Sequence, residues 1–225
     1  MNGLRGAGSE YFMRRLLFVI LFAVTLFEMR GEKEYKEFQR GDLIFQVEGS
    51  SDFSRAIADA TALSDSLRLV HVAIIDIDSL GNAYILEASE RDGVCVTSMD
   101  DFIRNRAKVN GKPGYVVKRI NFEFPVEEAV QRAKEFLGQP YDWCYLPDNN
   151  MVYCSELIYE SYLNENGEHI FSTRPMNFKD KNGEYPDFWI KLFEGMNMEI
   201  PQGVGGTNPN DMFYEPFLVE IFRSF

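Results

Sequence analysis

A cysteine that opens a helical pattern, a histidine that heads an apolar strand and a glutamate one strand later are the residues of this chain best suited to chemistry. The cysteine is Cys154 in "NNMVYCSELIYESYL". Leu157, Ile158 and Tyr162 follow it at near-helical spacing. That places the thiol at a helix N-terminus, where unsatisfied N–H groups and the helix dipole favour thiolate over thiol. A thiolate works best beside an imidazole that holds the ion pair and then protonates a leaving group. His71 opens "HVAIID", whereas His169 lies in the turn-like "NENGEHIF" and reads as a surface residue. A third group must fix the imidazole tautomer. Glu87, in "ILEASE", stands on the next strand, where a hairpin sets it beside His71 if the register permits. Each residue also has a plainer reading: Cys154 as a small core side chain, His71 as a satisfied structural histidine, Glu87 as a solvated carboxylate.

The other cysteines narrow the chemistry. Cys95, Cys144 and Cys154 are three in 225 residues, an odd count that makes no disulfide framework. Zinc fits poorly, because Cys144 and Cys154 are ten apart and only two histidines are available. No metal and no cofactor is assigned. The run "QGVGGTNPND" lacks the lysine of a phosphate loop and reads as a turn, or as a flexible lip over a groove. A net charge of −12 with a pI near 4.7 argues against nucleic acid or an anionic membrane surface as partner.

The elements that must position these residues fit one domain, assigned to 32–225, since a chain with 45% hydrophobic residues can bury a single good core. Residues 1–31 read as a signal peptide and N-terminal extension: Arg14 and Arg15 precede the apolar run 16–27, which is short for a bilayer and within the usual length of a signal h-region, about 7–15 residues. A buried helix or an uncleaved anchor are the other readings of that run. Export places the mature chain in the periplasm or cell envelope, with no stable membrane span.

Downstream, strands are expected at 42–47, 69–78, 82–90, 93–99, 114–122 and 217–222, with a turn at Ser79-Leu80-Gly81-Asn82 and a three-stranded meander around it. Helices are expected at 51–66, capped by Ser51 or Asp52, at 98–107, 125–138, 154–164 and 185–195. The rest of the tail reads as loop. The class is α+β, a mostly antiparallel sheet packed by helices.

At this point "GQPYDWCYLPDNNMVYCSELIY" resembles the G-x-PY-x-WGG…DCSGLV signature of the NlpC-type, papain-like cell-wall cysteine peptidases and amidases. In ordinary members the histidine and its polar partner follow the cysteine. Here His71 and Glu87 precede it, an order similar to the circularly permuted, YiiX-like branch, related to the lecithin–retinol acyltransferase type. The resemblance covers about Arg40 to Leu163, and "PYDW", "YCSEL" and "GDLIF" are its most specific parts.

The likeness implies a permuted papain-like fold with Cys154 as nucleophile at a helix N-terminus, His71 as base and acid, and Glu87 as orienting residue. Tyr141, matching the tyrosine of PY-x-W, would bind substrate or donate to the oxyanion, with an aromatic core residue as its plainer reading. Two departures stand out: Cys144 replaces a glycine after the tryptophan, and "YCSEL" replaces "DCSGL". The implied activity is cysteine-dependent cleavage of an amide through an acyl-thioester, on a small cell-wall-type peptide. An acyltransferase or lipid-amide hydrolase acting on an acyl-amide is the second reading, to which the aromatic "DFWIKLF" and "DMFYEPF" could supply an apolar groove. A non-catalytic binding module on the same fold is the third.

Overall fold

The computed structural model describes residues 37–63, 67–105 and 107–225. The signal-peptide reading and the domain start at residue 32 lie outside the described residues, as do the last three positions of the helix expected over 51–66. Among the described residues no helix is long and apolar enough to cross a membrane.

Strand β1 is Leu43–Val47, helix α1 Asp52–Thr61, and strands β2, β3 and β4 are Leu69–Ile77, Ala83–Ser89 and Gly93–Ser98. Helix α2 is Met99–Arg104, and β5 is Tyr115–Ile120. Helices α3, α4, α5 and α6 are Val126–Glu135, Cys154–Ser161, Asp187–Gly195 and Pro209–Phe213, and β6 is Leu218–Arg223. The six strands form one sheet in the order β6-β5-β1-β2-β3-β4, and every neighbouring pair is antiparallel. The expected meander is therefore β2-β3-β4, with β1 and β5 continuing the sheet on the other side.

Position in the sheet explains the sequence. Eight of the nine residues of β2, "LVHVAIIDI", are buried, as an inner strand covered on both faces requires. A histidine in such a strand is enclosed whatever its role. The β2–β3 turn is tied by Asp78, whose carboxylate accepts from the Leu80 and Asn82 N–H groups at 2.8 Å each. Gly81 supplies the left-handed φ of +87° that the turn needs. This turn fixes how β3 returns along β2.

Helix α1 is capped by Ser51, whose hydroxyl accepts from Ser54 N–H at 3.1 Å, and it buries Ala56, Ile57 and Ala58. It stops at Thr61, because Ala62 is already extended. Pro125 caps α3 from outside its first turn, and Ala129, Val130 and Ala133 make its buried stripe. Helix α4 packs across β2 and β3 and against α3. The helix that Cys154 opens thus lies over the strands that carry His71 and Glu87.

The tail departs from the expected loop. Residues Gly205–Gly206 pair with Arg174–Pro175, and α6 follows, with the Asn208 side chain accepting from Asp211 N–H at 2.9 Å. Asn at the cap and Pro at the first helical position are helix-start signals that the surrounding glycines mask.

Candidate active site

Cys154 is the first residue of α4, after the extended Tyr153, and is 4% exposed. The N–H groups of the first turn have no intrahelical acceptor, so they face whatever negative charge the sulfur or its substrate carries. His71 and Glu87 are buried as well. The three meet: His71 Nε2–H donates to Glu87 Oε2 at 2.8 Å, and the imidazole is within hydrogen-bonding reach of the Cys154 thiol. With Nε2 taken by the carboxylate, Nδ1 is the nitrogen left for the sulfur.

Register shows how the strands achieve this. Ile74 pairs with Leu86, so the next step sets Glu87 across from Ala73, and His71 lies two residues further along on the same face. The pair is diagonal rather than directly opposed, a span that two long side chains bridge. The same logic recurs on β4, where Cys95 is Glu87's direct partner and Thr97 its diagonal one. Thr97 Oγ1–H donates to Glu87 Oε1 at 2.6 Å, so both carboxylate oxygens are engaged. Thr97 was not singled out from the sequence. The alternation of "GVCVTS" offered the signal, since it puts Cys95 and Thr97 on one face.

Burial works against a charged His71, but hydrogen bonds to Cys154 and Glu87 and their negative charge outweigh it, taking the imidazole up to about 10. Imidazolium is therefore the resting form at neutral pH. Tyr141, also buried, is pushed well above the usual phenol range by burial and by the charges of Tyr145 and Cys154, so it stays an O–H donor. It is joined to the Cys154 loop by a parallel bridge to Val152.

Cys144 occupies the turn that follows. The fully buried Asp142 accepts from Cys144 N–H at 2.8 Å and from Leu146 N–H at 3.0 Å, which shapes the loop. All three cysteines are free thiols, and burial raises those of Cys95 and Cys144. His169 stacks on Tyr159 at 3.8 Å on the surface, apart from this cluster. A small cleft opens over Cys154, walled by Ile57, Val70, Tyr141, Tyr145, Phe178 and Trp189. Trp189, from "DFWIKLF", thus belongs both to the core and to the cleft wall.

Glu156, which replaces a glycine of the likeness, has an unusual setting. Its carboxylate accepts from Tyr153 N–H at 3.4 Å, while burial and the charge of Asp142 push it up to about 8. A carboxyl raised from 4.5 is neutral in the folded chain while the unfolded chain ionises, so its contribution to stability falls as pH climbs from 4.5 through about 8. His71, raised from 6.5 to about 10, loses its contribution over that higher window. Glu156→Gln is expected to raise the melting temperature at pH 8 by roughly 3–6 °C and to leave it nearly unchanged at pH 4.5. Melting curves at both values check this, and an equal shift at the two would refute it.

Comparison with known proteins bears on the family and the fold. A family model described as permuted papain-like amidase enzyme, YaeF/YiiX, matches residues 37–222. Uncharacterized protein YiiX of Escherichia coli (strain K12) is 30% identical over 188 residues, which cover 82% of this chain and 86% of that protein. The crystal structure described as metalloprotein yiiX from Escherichia coli O157:H7 is similar with a TM-score of 0.66 at 27% identity, covering 83% of this chain and 98% of that one. Among the described residues here, no three His, Cys, Asp or Glu side chains converge to hold an ion. At Cys154 the His71 ring is engaged by the carboxylate on one side and the thiol on the other. These donors are turned to one another and do not fit a metal.

Proposed function

This chain belongs to the permuted papain-like amidase family, and we propose from that premise that Cys154, His71 and Glu87 carry out its chemistry as a cysteine amidase. The observation that carries the reading is the chain of contacts from Thr97 through Glu87 and His71 to the thiol. The Cys154 thiolate attacks the amide carbonyl carbon, and the C=O electron pair moves to oxygen. The resulting oxyanion is held by the Cys154 backbone N–H and the Tyr141 hydroxyl. As the intermediate collapses, the C–N bond breaks and His71 Nδ1 gives its proton to the departing amine. A water then loses a proton to the neutral His71 and attacks the thioester. The acid leaves and the thiolate–imidazolium pair is restored.

A small peptide of the cell-wall type is the proposed substrate, supported by the likeness and by the export reading of residues 1–31. The chain's net charge of −12 suits a substrate bearing amines. The walls of the cleft favour a second reading: Ile57, Val70, Phe178 and Trp189 offer apolar surface to an acyl chain. A lipid-amide hydrolase uses the same two half-reactions, and an acyltransferase replaces water by an acceptor nucleophile.

Iodoacetamide labelling followed by mass spectrometry tests the core of the proposal. Cys154 is expected to alkylate rapidly below neutral pH, while Cys95 and Cys144 gain reactivity only at alkaline pH. Uniformly slow labelling would favour a binding module and end the amidase reading. Turnover of muropeptide stems against N-acyl amides then separates the two substrate classes.

A further inference from the structure

The tail segment that reads as a turn, or as a lip over the groove, touches the supports of both reacting residues. Thr207 N–H donates to the Tyr153 hydroxyl oxygen at 2.9 Å, and Thr207 Oγ1–H donates to Ser155 Oγ at 3.1 Å. Tyr153 and Ser155 flank Cys154 in the chain. Three residues on, Asn210 Oδ1 accepts from Leu69 N–H at 3.1 Å, and its Nδ2 donates to Leu69 O at 2.7 Å and to Thr61 Oγ1 at 2.8 Å. Leu69 begins β2, two residues before His71. Thr207, Ser155 and Asn210 are all buried, with Ser155 and Asn210 wholly so.

These bonds reach the starts of the two elements that carry Cys154 and His71. The first turn of α4 lacks intrahelical acceptors for its N–H groups, so its exact tilt depends on what grips it from outside. Leu69 is the last residue of β2 that pairs with β1, reached across a register shift between Gln46 and Val47, so the strand's regular ladder is already disturbed there. Between the two grips lie only Asn208 and Pro209, the cap and first residue of α6. The approach is close as well: a Cβ at Gly206 would stand 2.8 Å from the Tyr153 hydroxyl and 2.5 Å from Met176 Sδ, so a larger residue there would have to displace those side chains.

We propose that Thr207 and Asn210 are positioning residues, a bracket that sets the spacing of the Cys154 sulfur from the His71 ring by gripping the start of α4 and the start of β2 from one short segment. A proton shared between sulfur and nitrogen is sensitive to displacements of a fraction of a hydrogen-bond length. The inference rests on the reading of Cys154 and His71 as the reacting pair.

The test uses the full chain, with the pH dependence of Cys154 alkylation by iodoacetamide as readout and the melting temperature recorded beside it. Thr207→Val keeps the shape and loses the hydroxyl, Tyr153→Phe removes the acceptor on the other side, and Asn210→Ala releases β2. Each is expected to move the alkylation midpoint upward by about one pH unit, which is about tenfold slower labelling at pH 6. Thr207→Ser, which retains the hydroxyl, is expected to keep the wild-type profile. Profiles that superimpose on wild type, whatever the loss in melting temperature, would make the segment merely structural and overturn the bracket. If one variant fails to fold, the other two decide. Wild type without a low-pH limb would instead bring down the reacting pair itself, so the two failures are distinguishable.

Discussion

Cys154→Ala is expected to lower amide turnover by on the order of 10⁴-fold or more while shifting the melting temperature by no more than roughly 4 °C. The proposed covalent route has no substitute nucleophile: Ser155 beside Cys154 is fully buried and bonded to Thr207, and Cys144 sits on the Asp142-tied loop with its thiol raised by burial. The variant carries a second readout that needs no substrate. Two of the causes that raise His71 come from Cys154, its hydrogen bond and its charge, so removing the sulfur must lower the imidazole from about 10. An NMR titration of the ring in wild type and variant measures this directly. Unchanged turnover on a substrate the wild type cleaves would exclude Cys154 as nucleophile, and an unmoved imidazole would exclude the ion pair. Cys144→Ser serves as the control and is expected to keep activity within about twofold.

The parts of this site legible in the sequence are those fixed by local pattern. Apolar β2, the glycine-marked turn at 79–82 and the stripe before Gly138 each declare an element within a few residues, because side-chain periodicity follows backbone geometry directly. Cys154 declares its helix start in the same way. What the pattern does not carry is register and long-range closure. The sequence places His71 and Glu87 on adjacent strands, yet their diagonal offset is set by how the Asp78 turn closes, and Thr97 enters only once β4 is paired. The tail is the extreme case. Thr207 and Asn210 stand 136 and 139 positions after His71, in a glycine-rich run whose local signals say turn, and their meaning lies in partners at Tyr153, Ser155 and Leu69. Composition could not announce it, because a buried hydrogen bond between distant residues leaves no period in either segment.

Glu87, the proposed orienting carboxylate, gives the other large effect, and it separates charge from geometry. Glu87→Gln preserves shape: its amide oxygen can accept from His71 Nε2–H, and its amide nitrogen can donate to Thr97 Oγ1 once that hydroxyl rotates. What disappears is the negative charge, one of the causes holding His71 near 10, so the imidazole is expected to fall. In the proposed mechanism turnover needs a protonated ring to expel the amine, so the alkaline limb of the rate profile should move to lower pH. The rate at its optimum should drop about 10²–10³-fold. Glu87→Ala removes the geometry too. It leaves Nε2–H and the Thr97 hydroxyl without their carboxylate in a buried site, at a cost of roughly 1–3 kcal/mol for each unsatisfied group, so stability falls along with rate. The comparison therefore has a definite order: glutamine loses rate with little change in melting temperature, and alanine loses both. A glutamine variant with wild-type rate and an unshifted alkaline limb would show that the carboxylate only fills space beside the histidine, and the orienting role would pass to the strand packing alone.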